Sequence, residues 1–336
     1  MLQRSKRCTS PKSQSVGRCG RGVSALWVVY FGNSQSVFSN RHFRALVDTP
    51  CDLVAVVDVP PSRRTSTNPV VGAFPSFVQV ARQRSVRVLE PSSPNLNEFV
   101  EVMRRLSPDL LLAAGYSQVL GEQILSIPRL VPVNFHASLL PAYRGKHPVF
   151  WALRNGERWA GLTVHVMDAG LDTGDILYQV RVRTRAQDSV ATLYDRIMDR
   201  SVELVGRLVK DAEEGTLVPR PQPEGDASYY SSVDEDDFRL DWTRDAEELC
   251  RWIHTTPGKC FCDMKGSRVL FMDAQVVGRP GGEVPGTLIR LDETFCDVAT
   301  GKEALRVRSV RLSGCNTALL RRLCQELDLE VGDSID

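Results

Sequence analysis

Val131-Pro132-Val133-Asn134-Phe135-His136-Ala137-Ser138-Leu139-Leu140-Pro141, then Tyr143-Arg144-Gly145, is the stretch on which the reading of this chain turns. Apolar and polar residues alternate from Val131 to His136, the period of a strand, so Val133 and Phe135 take one face and Asn134 and His136 the other. An amide and an imidazole then share a face. A second short strand is expected over Leu162-Thr163-Val164-His165-Val166-Met167, and the turn after it, Asp168-Ala169-Gly170-Leu171-Asp172-Thr173-Gly174-Asp175, places its carboxylates around two glycines. From there Asp172 can reach the imidazole. Such a set suits acyl transfer: an amide donates to an oxygen that gains charge, an imidazole moves a proton, and a carboxylate fixes the ring.

Outward from this stretch the pattern is α/β. Ala25 to Phe31 and Asp52 to Asp58 are apolar runs of the kind expected of strands buried on both faces, and Gly32-Asn33-Ser34 turns the first into a helix ending near Val47. Further strands are expected at Val86 to Leu89, Asp109 to Ala114 and Leu130 to Phe135, with helices near Phe74 to Arg84 and Leu96 to Leu106. Alternating elements imply a parallel, helix-covered sheet, whose ligands bind at the carboxyl ends of strands. Asn134, His136 and Asp172 are expected at those ends. Val190 to Val209 reads as one long amphipathic helix. Residues 213–228, rich in Pro, Gly and Glu, read as a linker between a first domain at 25–212 and a second at 229–336. There a helix over Asp245 to His254 precedes short strands at Phe261 to Met264, Arg268 to Val277, Gly286 to Leu291, Cys296 to Val298 and Ala304 to Leu312, a small β-barrel-like unit.

With 336 residues, 42% hydrophobic and 25% charged, the chain has material for a sizeable core in two domains. Its net charge of +1 creates no global field toward nucleic acid or membrane, and no apolar run suffices to span a bilayer. The 9 cysteines show no CxxC pair, and Cys260, Cys262 and His254 lack an evident fourth ligand, so no metal is expected. Residues 1–24 are basic and free of acids, the composition of a disordered tail, a start called too early or a transit peptide. The expected location is cytoplasmic, or mitochondrial if that tail is a targeting signal. Ser138 has no Gly-x-Ser-x-Gly elbow, so it does not read as a nucleophile.

Asn134-x-His136-x-Ser138-Leu139-Leu140-Pro141, Arg144-Gly145 and Leu171-Asp172-Thr173-Gly174-Asp175 resemble the core of the 10-formyltetrahydrofolate-dependent formyltransferases, in the branch of methionyl-tRNA formyltransferase and the amino-sugar N-formyltransferases. Leu240-Asp241-Trp242, His254 to Gly258, Pro285-Gly286-Thr287 and Ala299-Thr300-Gly301 extend the resemblance into the second domain. It implies a Rossmann-like catalytic domain followed by an OB-like one. It also implies 10-formyltetrahydrofolate as donor, and Asn134, protonated His136 and Asp172 as catalytic trio. Ser138, Leu139, Leu140 and Pro141 would line the folate site, with Gln118 and Leu120 contributing backbone groups beside the pterin. His165 reads as support behind the trio, and Asp168 and Asp175 as residues that order their loop.

The acceptor is an amine. Residues 228–336 hold 14 Lys/Arg against 20 Asp/Glu, an acidic surface that argues against RNA as partner and toward an amino sugar nucleotide or similar small amine. Methionyl-tRNA is the alternative acceptor. A third reading, 10-formyltetrahydrofolate hydrolysis with water as acceptor, leaves the second domain without a task.

Overall fold

A computed structural model describes residues 26–64, 75–278, 282–312 and 327–335. The tail at 1–24 and most of the segment 323–329 lie outside them. The first domain runs β1 (Trp27–Gly32), α1 (Val37–Val47), β2 (Asp52–Asp58), α2 (Phe77–Gln83), β3 (Arg87–Leu89), α3 (Asn97–Leu106), β4 (Leu110–Ala114), α4 (Glu122–Leu125), β5 (Val131–His136), β6 (Arg144–Gly145), α5 (Pro148–Arg154), β7 (Trp159–Val166), β8 (Ile176–Arg183), α6 (Val190–Ser201) and α7 (Glu203–Glu213). Seven strands form one sheet in the order β3-β2-β1-β4-β5-β7-β8. The strands from β3 to β5 are parallel, as expected, whereas β7 and β8 each run antiparallel to their neighbours.

Burial on the two faces of the sheet explains where a site can form. One face is covered along its length by α1, α2, α5, α6 and α7, which bury Tyr30, Leu112, Val133, Phe135 and Val164. On the other, α3 and α4 cover Val29, Phe31, Val57, Leu111 and Ala113 with Phe99, Met103 and Ile124. That cover stops at β4. Beyond it the same face carries Asn134, His136, Thr163 and His165, which the β5–β7 register sets opposite one another in pairs. Helices seal the apolar side of these strands, and loops cover the polar side.

Two expectations change. The helix read as continuous from Val190 to Val209 is broken at Val202, where the Ser201 hydroxyl donates to the Met198 carbonyl at 3.2 Å and lies 3.0 Å from His42 Nε2. A serine bonded back onto its own helix bends it. Strand β8 was unexpected. Its Val-Arg-Val-Arg alternation sits at the sheet edge, where valines face α6 and arginines face outward.

The second domain comprises β9 (Tyr229–Tyr230), α8 (Ala246–Thr255), β10 (Phe261–Met264), β11 (Ser267–Val277), β12 (Leu288–Leu291), β13 (Cys296–Ala299) and β14 (Ala304–Leu312). Its last five strands form an antiparallel sheet, β10-β11-β14-β13-β12, curved by bulges around Trp242, Leu249, Phe271, Val298 and Leu305. Helix α8 joins it to the first domain: Arg251 Nε and Trp252 Nε1 both donate to the Arg154 carbonyl, and the Arg154 guanidinium lies 3.5 Å from the Trp252 ring centre.

Gly161 on β7 permits a close layer over the polar face. A Cβ there would collide with the Val180 carbonyl oxygen and with Leu139. Gly161→Ala should therefore destabilise the protein by about 1–3 kcal/mol, the usual cost of forcing an extra carbon into a packed site. An unchanged urea midpoint would refute this close packing.

Candidate active site

Strand alternation delivers Asn134 and His136 to the same face two residues apart, and antiparallel β7 adds His165 and Thr163 beside them. His136 Nε2 lies 2.8 Å from the Tyr143 carbonyl. A carbonyl only accepts, so Nε2 carries a proton, and Nδ1 faces Asp172 Oδ2 at 3.5 Å. By the same logic His165 holds its proton on Nδ1, 2.9 Å from the Val166 carbonyl, and its Nε2 accepts from Asn134 Nδ2 at 3.2 Å. Asp172 Oδ1 is 3.5 Å from that amide nitrogen and 3.4 Å from His165 Nε2, while Oδ2 receives the Gly145 N–H at 2.9 Å. One carboxylate thus gathers the trio and His165.

Burial holds the His136 imidazole below the usual histidine value, outweighing the opposing pull of Asp172 and of the Tyr143 carbonyl. The ring is neutral near pH 7, which corrects the expectation that it stands protonated. For Asp172, burial acts upward, but His136, His165 and the Gly145 N–H together outweigh it and bring the carboxyl down to about 2. A neutral base therefore faces a fixed negative charge, ready to stabilise the imidazolium once a proton arrives at Nδ1.

The position of Asp172 differs from the expectation. It follows β7, whose antiparallel course ends beside the start of β5, with Val166 paired to Val133. Asp172 reaches the site because its loop folds back, with Asp172 itself in the left-handed region at φ 55°. Asp168 Oδ1 ties the loop internally to the Gly170 N–H and the Thr173 hydroxyl.

The outer brace comes from residues the sequence reading did not single out. Gln222, in the segment read as linker, donates through Nε2 to the carbonyls of Asp172 and Gly174 at 2.9 and 2.7 Å. Its Oε1 accepts from Arg144, whose fully buried guanidinium also meets Glu224 and the Tyr229 hydroxyl. Beyond it β9 pairs with β6, and Gly145, at φ 99°, lies so close to the Tyr230 carbonyl that no side chain fits. The only local hint was a glutamine between Pro221 and Pro223.

The residues expected to hold folate are near but differently employed. Ser138 donates to the Ala142 carbonyl, the Leu140 N–H to Thr163, and the Leu140 carbonyl accepts from Gln179. Pro141 offers its carbonyl to the Ser228 N–H. These four residues form a brace on β7, with half-buried Leu139 packed over Gly161. Gln118 and Leu120 lie in the loop after β4, Gln118 Nε2 at 3.3 Å from the Tyr116 hydroxyl and Leu120 in the core under α4. Among the described residues no cluster of three His, Cys, Asp or Glu could hold a metal; the Cys260 thiol is bonded to the Trp252 carbonyl.

Known proteins share this arrangement of domains. Residues 28–209 match the formyl transferase family and residues 232–326 its C-terminal domain. Similar curated proteins include the methionyl-tRNA formyltransferase of Caldanaerobacter subterraneus subsp. tengcongensis, 32% identical over 85% of this chain and 92% of its own length. That of Pseudomonas savastanoi pv. phaseolicola is 34% identical over 86% and 91%. Among solved structures, the N-formyltransferase from Helicobacter canadensis, in complex with folinic acid and dTDP-3-aminofucose, shares the fold at TM-score 0.61 with 13% identity, over 86% of this chain and 100% of its own. HypX from Aquifex aeolicus in complex with tetrahydrofolic acid does so at 0.57 with 19% identity, over 92% and 48%.

Two outcomes follow from the geometry. In an NMR titration of ring-labelled protein, His136 should protonate with a midpoint below about 6.5, the unperturbed value, and lower still in Asp172→Asn, which removes an upward pull; a midpoint above it would contradict the burial argument. Gln222→Ala strips donors from two carbonyls and an acceptor from buried Arg144. It should cost about 2–4 kcal/mol of stability, since each orphaned buried group costs about 1–3, whereas Gln222→Glu restores only the acceptor and should recover part of that loss in chemical denaturation.

Proposed function

The chain belongs to the formyl transferase family, and on that premise we propose that it moves the formyl group of 10-formyltetrahydrofolate to the amine of methionyl-tRNA. The observation that carries this reading is the trio Asn134, His136 and Asp172, gathered on one sheet face that no helix covers, in a chain that matches methionyl-tRNA formyltransferases along 91–92% of their length. The acidic second domain pointed instead to an amino sugar nucleotide. The relatives named above favour tRNA over it, and the amino-sugar enzyme's likeness, at 13% identity, concerns the fold.

The donor set fits the proposed substrate: an amide and an imidazole share the sheet face on which Met167 joins the apolar cluster, where a flat heterocycle can rest. 10-Formyltetrahydrofolate would supply the formyl group on nitrogen. The amine attacks the formyl carbon, the carbon–N10 bond breaks, and the proton lost by the amine finally resides on N10. Neutral His136 is suited to take that proton at Nδ1, where Asp172 stabilises the resulting charge. Asn134 is half-buried, and an N–H turned outward from His165 and Asp172 would donate to the formyl oxygen as it gains charge. Transfer to water, the hydrolase alternative, would leave the second domain unused.

His136→Ala should fold normally and lose formyl transfer by about 10²–10⁴, the usual worth of a positioned acid–base group. Labelled 10-formyltetrahydrofolate, offered with charged initiator tRNA, nucleotide amino sugars or buffer alone, should label only the RNA. Label in a sugar, or release of formate alone, would overturn the acceptor assignment.

A further inference from the structure

Along the outer edge of the first domain, between β8 and α6, runs an open groove of about 920 Å³ lined by Arg181, Arg183, Arg185, Arg196 and Arg200. Its carboxylates are engaged elsewhere or internally: Asp188, at the groove's end, is buried against Arg196 by a two-pronged ion pair, and Asp199 on its wall pairs with Arg41. The side chains of Arg183, Arg185 and Arg200 are exposed and make no ion pair among the described residues. Trp159 stands at the same edge, 39% exposed, with the Arg181 guanidinium 5.0 Å from its ring centre. An exposed indole capped by a cation, next to unpaired guanidinium groups, is the combination that holds a nucleic acid strand: bases stack on the ring and phosphates meet the arginines.

The register connects this edge to the catalytic face. Trp159 pairs with Arg183, Gly161 with Arg181 and Thr163 with Gln179, while Thr163 also pairs with His136. Paired residues point to the same side, so Trp159, Arg181 and Arg183 lie on the face that carries His136, with the segment 138–141 laid over Gly161 and Thr163 between them. Four residues of strand separate Trp159 from Thr163, about 14 Å at 3.4 Å each. At its far end the groove meets the second domain, where His254 Nδ1 lies 3.4 Å from the Ala186 carbonyl.

We propose that this arginine groove binds the sugar–phosphate backbone of the RNA acceptor, whose aminoacylated end then crosses the segment 138–141 to reach His136. The inference rests on the tRNA reading of the acceptor and adds where the RNA lies. It also removes the objection raised by charge: the second domain is acidic, and the cations that face the RNA belong to the edge of the first. Arginines on an edge strand have a second use, since charge keeps a sheet edge from pairing with another chain. Glutamate serves that purpose equally well but repels phosphate, and this separates the two roles.

The test is the double variant Arg183→Glu/Arg200→Glu, with Trp159→Ala beside it. Formylation of charged initiator tRNA by the double variant should fall at least tenfold in kcat/KM, chiefly through KM, while formylation of methionyl-adenosine, which lacks the RNA body, stays at the wild-type rate. Binding of uncharged tRNA, followed by fluorescence anisotropy across a salt series, should show a slope shallower by about 1.4–1.8, since each lost phosphate contact is worth about 0.7–0.9. Trp159→Ala should weaken binding and leave the slope unchanged. Wild-type tRNA affinity and slope in the double variant would overturn the proposal, as would an equal loss on methionyl-adenosine. If the wild-type protein formylates no RNA acceptor yet binds tRNA through these arginines, the groove stands and the acceptor assignment falls.

Discussion

An ionised carboxylate buried under a folded-back loop is the constraint around which the catalytic domain is arranged. Stripping water from such a group costs several kcal/mol, and the cost is met only when donors surround it. Here the donors are the Gly145 N–H in β6 and the Asn134 amide in β5, while the rings of His136 and His165 on β5 and β7 close around the carboxylate at 3.5 and 3.4 Å. The two donors lie 27 and 38 residues from Asp172 in sequence. The assembled fold therefore deepens both charge states, holding the Asp172 carboxyl down to about 2 and, through burial, the His136 imidazole below its usual value. Mutual dependence of this kind makes the site a product of tertiary structure more than of any one loop.

The loop itself is held from outside. Gln222 reaches the backbone of Asp172 and Gly174, and Arg144 holds Gln222 in turn, so the chain leaving the first domain is part of the brace of the site. A segment that sequence composition marks as linker is here a strap. Proline on either side of Gln222 fixes the backbone in extended form and lowers the entropy lost when it docks. The strap continues as β9 against β6 and ends in the stacked pair Tyr143–Tyr230, which carries the connection into α5 and so to α8 of the second domain. Position of the second domain and position of Asp172 are thus mechanically linked.

Much of this was legible in the sequence, for identifiable reasons. The alternation from Val131 to His136 put the polar pair on one face because a strand has a period of two, and the glycine-bounded turn announced Asp172. What stayed hidden depends on non-local geometry. The antiparallel course of β7 and β8 cannot be read from their composition, so Asp172 was expected at a parallel strand end. The charge of His136 depends on burial, and burial was invisible in a motif that names only its neighbours. Gln222 has no local signature, because its partners lie about fifty and eighty residues away.

Net charge is the quantity that says least about where charges lie. A value of +1 for the whole chain, with an acidic second domain, suggested a protein with little appetite for RNA. Electrostatic attraction, however, is screened beyond a Debye length of about 8 Å at physiological ionic strength. A phosphate at the β8 edge therefore responds to Arg183, Arg185 and Arg200 rather than to the carboxylates of the second domain's outer surface. The same screening makes segregation useful. If RNA is the acceptor, as proposed, an acidic domain beside a basic groove would repel RNA that approaches in the wrong orientation, while the groove would retain RNA whose end lies toward His136. Near-zero net charge would then be the sum of two surfaces with opposite effects on one partner, and orientation of the proposed acceptor would follow from their separation rather than from the total.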